Sequence, residues 1–325
     1  MARVAQIEQH GGPEVIQWVD VDLPDPGPGE VRIRTTAVGL NFIEIYQRTG
    51  LYPMTLPSGL GGESIGVVEA LGAGVTSLSI GDRVATFGPE VGSYATHRNL
   101  PAERFFKLPD DVDDRTAAAI ILKGGTTEFL IERCAKVQPG QTVLVHAAAG
   151  GVGHLAVGWL KAIGATVIGT VGSPDKAERA RRAGADHIIE YKHEDIAARV
   201  REITGGAGVP VVLDGVGKDT WDASLKSVAP RGLIVSYGNA SGPVTGVALG
   251  SLAANGSLFV TRPTMFSYYS TPGERAAGMT RVFEMLAKGA IKPEIGQTFA
   301  LEDAAEAQRQ LEAGKTEGAT VLIPA

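Results

Sequence analysis

The chain has 325 residues, 44% hydrophobic and 20% charged, the balance of a globular protein long enough for two domains. A formal net charge of −6 argues against a nucleic-acid footprint, which needs a basic face. A single cysteine, Cys134, excludes a disulfide framework. The apolar stretch near 142–172 is broken by His146, His154, Lys161 and several glycines, so it is not a membrane span. No signal-peptide pattern opens the chain, and a cytoplasmic location is expected.

The first 115 residues or so read as short strands with turns close together. Residues 3–9 and 31–35 alternate, 66–70 follow a glycine pair, and 81–84 follow another turn. This pattern predicts an all-β, barrel-like unit, with a short helix at 41–46. A helical stretch at 126–136 carries Cys134, read as a core thiol. From 142 onward a strand–helix rhythm predicts strands at 142–146, 166–171, 187–191, 209–214, 232–237 and 257–261. Helices at 153–163 and 176–183 lie between them. The expected architecture is α/β, with a doubly wound parallel six-stranded sheet. Two amphipathic helices, at 273–288 and 303–313, and a strand at 319–323 are expected to return to the first domain. The expected division is 1–122 with 264–325 and, separately, 123–263, with a site in the cleft between them.

The second domain opens on a β-branched run followed by Ala148, Ala149, Gly150, Gly151, Val152 and Gly153. Strand, glycine turn and helix together hold a pyrophosphate. Gly150 lets the backbone approach the phosphates, Gly153 lets helix and strand pack closely, and the helix N-terminal amides face the anion. Ala148 stands where the usual G-x-G-x-x-G pattern has its first glycine. The next strand ends in Val171, Gly172 and Ser173, without the acid that NAD-type sites carry there. Ser173 reads as an N-cap with Pro174 in the first turn. Lys176 sits where the helix dipole disfavours a cation, and a 2′-phosphate explains it. NADPH is therefore expected over NADH, with Asp175 as the neighbour that keeps NADH as a secondary cofactor. The later strands end in Gly215–Gly217, in Tyr237, Gly238 and Asn239, and in Thr261, Arg262 and Pro263. Each is either a cofactor contact or a plain chain reversal.

The chain closely resembles the zeta-crystallin-like NADPH:quinone reductases, zinc-independent quinone oxidoreductases of the medium-chain dehydrogenase/reductase superfamily. The resemblance rests on 37–46, 50–53, 62–66, 81–84, 146–153, 237–239 and 261–263, which span nearly the whole chain. It implies a GroES-like β-rich catalytic domain, a Rossmann cofactor domain, and a homodimer formed by pairing the last sheet strands around 257–260. It also implies site roles. Asn41 would lie near the nicotinamide, and Tyr46 and Tyr52 would be cleft tyrosines offering a stacking face and a hydroxyl to a quinone. Thr127 would lie near the cofactor, and Tyr191 would help Ser173 and Lys176 hold the 2′-phosphate. Asn239 and Arg262 would contact ribose or pyrophosphate, Phe259 and Val260 would border the nicotinamide, and Lys315 would help hold the cofactor phosphate.

Zinc relatives of this architecture carry a cysteine near Asn41 and a Gly-His-Glu near Gly61. Here those positions are Asn41 and Gly61, Gly62, Glu63, and a four-cysteine lobe is impossible. His10, His97, His146, His154, His187 and His193 are scattered without ligand spacing. His146 and His154 are read as packing residues and Glu63 as a structural hydrogen-bonding group. Without a Lewis acid an unactivated alcohol is a poor substrate, whereas a quinone or activated enone accepts hydride readily. The expected function is NADPH-dependent quinone reduction without a metal. The alternatives are an alkenal or enone reductase, or a non-catalytic NADPH-binding crystallin-like protein.

Overall fold

A computed structural model describes residues Met1–Ala325, and the chain divides into two compact units. One comprises Met1–Leu122, Thr271–Ala276 and Pro293–Ala325, the other Lys123–Ser270 and Ala277–Lys292. The sequence reading gave all of 264–325 to the first domain. Residues 264–270 and 277–292 instead belong to the second unit, for identifiable reasons. Tyr269 Oη donates to Glu128 Oε2 at 2.6 Å and Gly125 O at 3.0 Å, and Arg281 Nε donates to Glu132 Oε1 at 2.9 Å.

The first unit begins with β1 (Ala2–Ile7), β2 (Gln17–Val21), β3 (Glu30–Leu40), α1 (Phe42–Arg48), β4 (Ser58–Gly59), β5 (Glu63–Leu71), β6 (Arg83–Phe87), β7 (His97–Pro101) and β8 (Phe106–Lys107). Along β3, buried Val31 and Ile33 alternate with Arg32 and Arg34, as a sheet with one packed face requires. Val31 and Ile33 pack with Val68, Leu78, Val84 and Phe105. Helix α2 (Asp114–Glu128) follows and crosses the unit boundary after Leu122. The helix expected at 126–136 continues only by wider turns, Phe129–Cys134, where Ala135 N bonds Leu130 O at 2.9 Å.

The second unit runs β9 (Thr142–Val145), α3 (Gly151–Ala162), β10 (Thr166–Val171), α4 (Pro174–Ala183), β11 (His187–Glu190), α5 (Ile196–Ile203), β12 (Val209–Asp214), α6 (Trp221–Ser227), β13 (Val228–Ser236), α7 (Leu249–Ala254), β14 (Phe259–Thr261), α8 (Met265–Tyr268) and α9 (Pro272–Ala287), of which the last begins in the first unit. All six strands are parallel, in the order β11-β10-β9-β12-β13-β14. That is the 3-2-1-4-5-6 order of the doubly wound dinucleotide fold, whose ligand crevice lies at the carboxyl ends where the order reverses, here between β9 and β12. Leu144, Ile168, Val212 and Ile234 form one cross-strand row with no exposure, and Val143, Val145, Val167 and Val235 on the opposite face are equally buried. Each contributes about 1.5–3 kcal/mol by leaving water. Burial on both faces is why these strands read as continuous apolar runs.

The chain closes with β15 (Ile295–Ala300), α10 (Ala304–Glu312) and β16 (Ala319–Ile323). Strand β16 pairs antiparallel with β3, Val321 opposite Gly39, and completes a seven-stranded sheet. No helix is long and apolar enough to cross a membrane.

Candidate active site

The glycine turn leaves β9 through His146 and Ala147, which takes φ +51°. Gly150 then caps α3 with no side-chain acceptor, and the first turn contains no acid. The first helical bond is His154 N to Gly150 O, 2.8 Å. The helix ladder thus provides no acceptor for the amides of Gly151, Val152 and Gly153, and this helix end suits an anion. A Cβ on Gly153 would run into the Ala147 carbonyl oxygen and stand 2.9 Å from its carbon and 3.0 Å from Ala148 Cα. Gly153 therefore permits the close packing read from the sequence. Ala148 is accommodated by Gly169 on β10, where a Cβ would stand 2.7 Å from the Ala148 methyl. Sequence reasoning missed this compensating glycine. Its signal was a lone Gly inside a β-branched strand. Ala149, within the turn, is buried.

At the end of β10, Ser173 Oγ accepts from Lys176 N at 3.4 Å, capping α4 as expected. Tyr191 lies over Gly172, where a Cβ would stand 2.9 Å from the Tyr191 Cζ. The structure thus brings Gly172, Ser173, Lys176 and a half-exposed Tyr191 together. Tyr237 covers Gly215 in the same manner, with its Cζ 2.7 Å from the position of a Cβ there.

Several residues expected to contact the cofactor make bonds within the protein. Arg262 Nη1 donates to Ser236 O at 2.7 Å and Gly238 O at 3.0 Å. With its amide turned to donate to Gly238 O at 3.0 Å, Asn239 accepts from Arg262 Nη2 at 2.9 Å. These bonds make Asn239 and Arg262 braces of the 237–239 loop. Thr127 is fully buried and its hydroxyl donates to Lys123 O at 2.9 Å, a bond within its own helix. Phe259 and Val260 are 63% and 37% exposed on edge strand β14. Lys315 belongs to the first unit, in an exposed turn where its amide donates to Gln310 O at 3.0 Å.

His146 is fully buried, its Nδ1 3.1 Å from Thr170 Oγ1 and its Nε2 3.0 Å from Ser224 Oγ. Burial pushes its pKa below the usual histidine value, partly opposed by the Asp214 charge. The unfolded chain therefore binds this proton at a higher pH than the folded one. The associated stability is complete above about pH 6.5 and is lost as pH falls below it, by at most about 1.4 kcal/mol per pH unit. Urea midpoints of wild type and His146→Gln are expected to converge between pH 7.5 and 5. A gap constant with pH would contradict a buried neutral imidazole.

In the first unit, Asn41 N donates to Glu44 Oε2 at 2.6 Å and fixes the start of α1. Asn41 Nδ2 donates to Glu63 Oε1 at 2.8 Å and Gly39 O at 3.2 Å, while Glu63 Oε2 accepts from Leu122 N at 2.9 Å. Glu63 is thus the hydrogen-bonding group read from the sequence, and it orients Asn41. One turn along α1, Tyr46 meets Tyr52 edge-on, with ring centroids 5.2 Å apart. Asn41, Tyr46 and Tyr52 are therefore grouped around one short helix. No group of three or more His, Cys, Asp or Glu side chains is placed to hold a metal ion.

A β-rich unit and a dinucleotide-type unit on one chain define the two-domain dehydrogenase class. Residues 151–281 match the zinc-binding dehydrogenase family model, and residues 27–110 match the alcohol dehydrogenase GroES-like domain. The chain is 52% identical to the quinone oxidoreductase of Pseudomonas aeruginosa, with all of both chains covered. It is 43% identical to a 2-haloacrylate reductase of Burkholderia sp, covering 100% of this chain and 99% of that one. The crystal structure of Escherichia coli quinone oxidoreductase complexed with NADPH matches with a TM-score of 0.97 at 44% identity, covering all of both chains. The chain belongs to the quinone oxidoreductase family of the medium-chain dehydrogenase/reductase superfamily.

Proposed function

We propose that this protein reduces quinones with NADPH and without a metal. The observation that carries this reading is the end of β10. Tyr191 lies over Gly172 there, Ser173 caps α4 through the Lys176 amide, and the strand end lacks the carboxylate that would hold a ribose 2′-hydroxyl. The α3 turn suits a pyrophosphate, since the helix ladder gives the amides of Gly151, Val152 and Gly153 no acceptor and the first turn carries no acid. The NADPH complex of the Escherichia coli relative supports the same cofactor.

When bound, NADPH supplies the reducing equivalents. The chain's own residues position the reactants, a proximity role. The amides of Gly151 and Val152 would hold the pyrophosphate, and Lys176, Ser173 and Tyr191 would hold the 2′-phosphate. Glu63 orients the Asn41 amide through the bond from Asn41 Nδ2. Partly exposed Tyr52 offers an aromatic face to a planar acceptor, backed by the buried Tyr46, and its hydroxyl can donate a proton to the acceptor's reduced oxygen. The zinc in the matched family's name finds no ligand set here, because no three His, Cys, Asp or Glu side chains are placed to hold a metal ion.

The Burkholderia relative favours a second reading, reduction of an activated alkene by the same residues. A competition assay with NADPH, a simple quinone, an alkenal and 2-chloroacrylate separates the two. Quinone reduction is expected to dominate, and a clear preference for the alkenes would favour the second reading. The dimer remains part of the proposal. It is supported by β14, which pairs only with β13 and exposes Phe259 and Val260. A cytoplasmic location is consistent with the composition.

A further inference from the structure

The cofactor loops of the second unit leave from one buried hydrogen-bonded chain. Thr170 lies on β10 two residues before Gly172, His146 directly follows β9 and leads into the glycine turn, and Asp214 ends β12 before Gly215. Ser224 on α6 completes the set. All four are buried, with exposures of 1% for Thr170, 0% for His146, 1% for Asp214 and 0% for Ser224.

The bonding has one direction. Ser224 Oγ donates to Asp214 Oδ2 at 2.8 Å. Its lone pair then accepts from His146 Nε2, which leaves Nδ1 to accept from the Thr170 hydroxyl. Asp214 Oδ1 accepts from Val216 N at 2.9 Å, Gly217 N at 3.0 Å and Thr220 Oγ1 at 2.8 Å, which pins the loop after β12. The backbone repeats the linkage. Ala148 N donates to Thr170 O at 3.0 Å, and His146 N donates to Leu213 O at 3.0 Å.

Well-packed apolar residues would stabilise such an interior at least as well as a buried polar chain. What this chain adds is a fixed arrangement. It ties the carboxyl ends of three adjacent strands, where ligands of this fold bind. We propose that Thr170, His146 and Ser224 are positioning residues for NADPH. Through Asp214 they set the glycine turn, the 2′-phosphate loop and the 215–217 loop relative to one another. This inference rests on NADPH being the ligand of those loops.

The test compares Thr170→Val, which keeps the shape and loses the hydroxyl, with Thr170→Ser, which keeps the hydroxyl. Ser224→Ala breaks the chain at a second point. NADPH Kd is measured by fluorescence titration, with KM, kcat and Tm alongside. Thr170→Val and Ser224→Ala are expected to raise the Kd of NADPH about tenfold, with the change falling on KM rather than kcat. Thr170→Ser should stay within about threefold of wild type. A lowered Tm with wild-type Kd in both broken variants would make the chain purely structural and overturn the proposal. Thr170→Ser matching Thr170→Val would overturn it too, as would failure of both broken variants to fold. Wild-type protein that does not bind NADPH would refute the cofactor reading itself, a separate outcome visible before any variant is made.

Discussion

Lys176→Ala is expected to weaken NADPH binding by about 10- to 100-fold and to leave NADH binding within about twofold. A hydrogen bond to a charged group contributes about 1.5–3 kcal/mol, which corresponds to that range. Lys176 is only partly buried, so screening by salt pushes the effect toward the lower end. The rest of the loop should be undisturbed, because Ser173 caps α4 through the backbone amide of Lys176 and not through its side chain. A lysine in the first turn also opposes the helix dipole, so its removal should leave Tm unchanged or slightly raised. Isothermal titration with both cofactors decides the matter. Equal losses for NADPH and NADH would remove the 2′-phosphate role.

Gly153→Ala should be more damaging. Its Cβ would meet backbone atoms of Ala147 and Ala148, which have no flexible end to swing aside. Either α3 or the turn must move, at a cost of about 1–3 kcal/mol. Displacement of the turn also misdirects the amides of Gly151 and Val152. Loss of two such bonds to an anion raises the Kd of NADPH about 100-fold. Gly158→Ala, on the same helix but away from the turn, is the control, since its Cβ would strike Ala290 O beyond the end of α9. It should lower Tm without a comparable change in Kd. Wild-type Kd in Gly153→Ala would contradict close packing as the function of this glycine.

Legibility in the sequence followed the physics of each element. Strands β10, β12 and β16 are β-branched runs bounded by turns, and their expected limits match the structure. Strand β13 begins at Val228, before the expected 232, because Pro230 and Gly232 look like a turn although the strand bulges past them. Helix α3 begins at Gly151, two residues early, because low-propensity glycines hide a start that tertiary packing enforces. The periodicity of α9 announces a buried face but not the element that buries it, and most of the helix falls in the second unit.

The site divides in the same way. Local chemistry was readable at Ser173 and Lys176, four residues within one strand–helix turn. Glu63 was legible as a hydrogen-bonding group, but its partners, Asn41 Nδ2 and Leu122 N, lie far from it in sequence. Arg262 and Asn239 were legible as polar groups at strand ends, but the loop carbonyls they bond lie at positions the sequence does not reveal. The chain from Thr170 to Asp214 joins residues with no common motif, so only their meeting in the fold reveals it.

The central claim is metal-free reduction of a quinone by NADPH. Its most direct test is steady-state NADPH oxidation by a simple quinone, using enzyme dialysed against a strong chelator and checked for zinc by elemental analysis. Full turnover with quinone, far faster with NADPH than with NADH, and no oxidation of simple alcohols is the expected result. Stoichiometric zinc whose removal abolishes activity, or alcohol oxidation without quinone reduction, would contradict the claim.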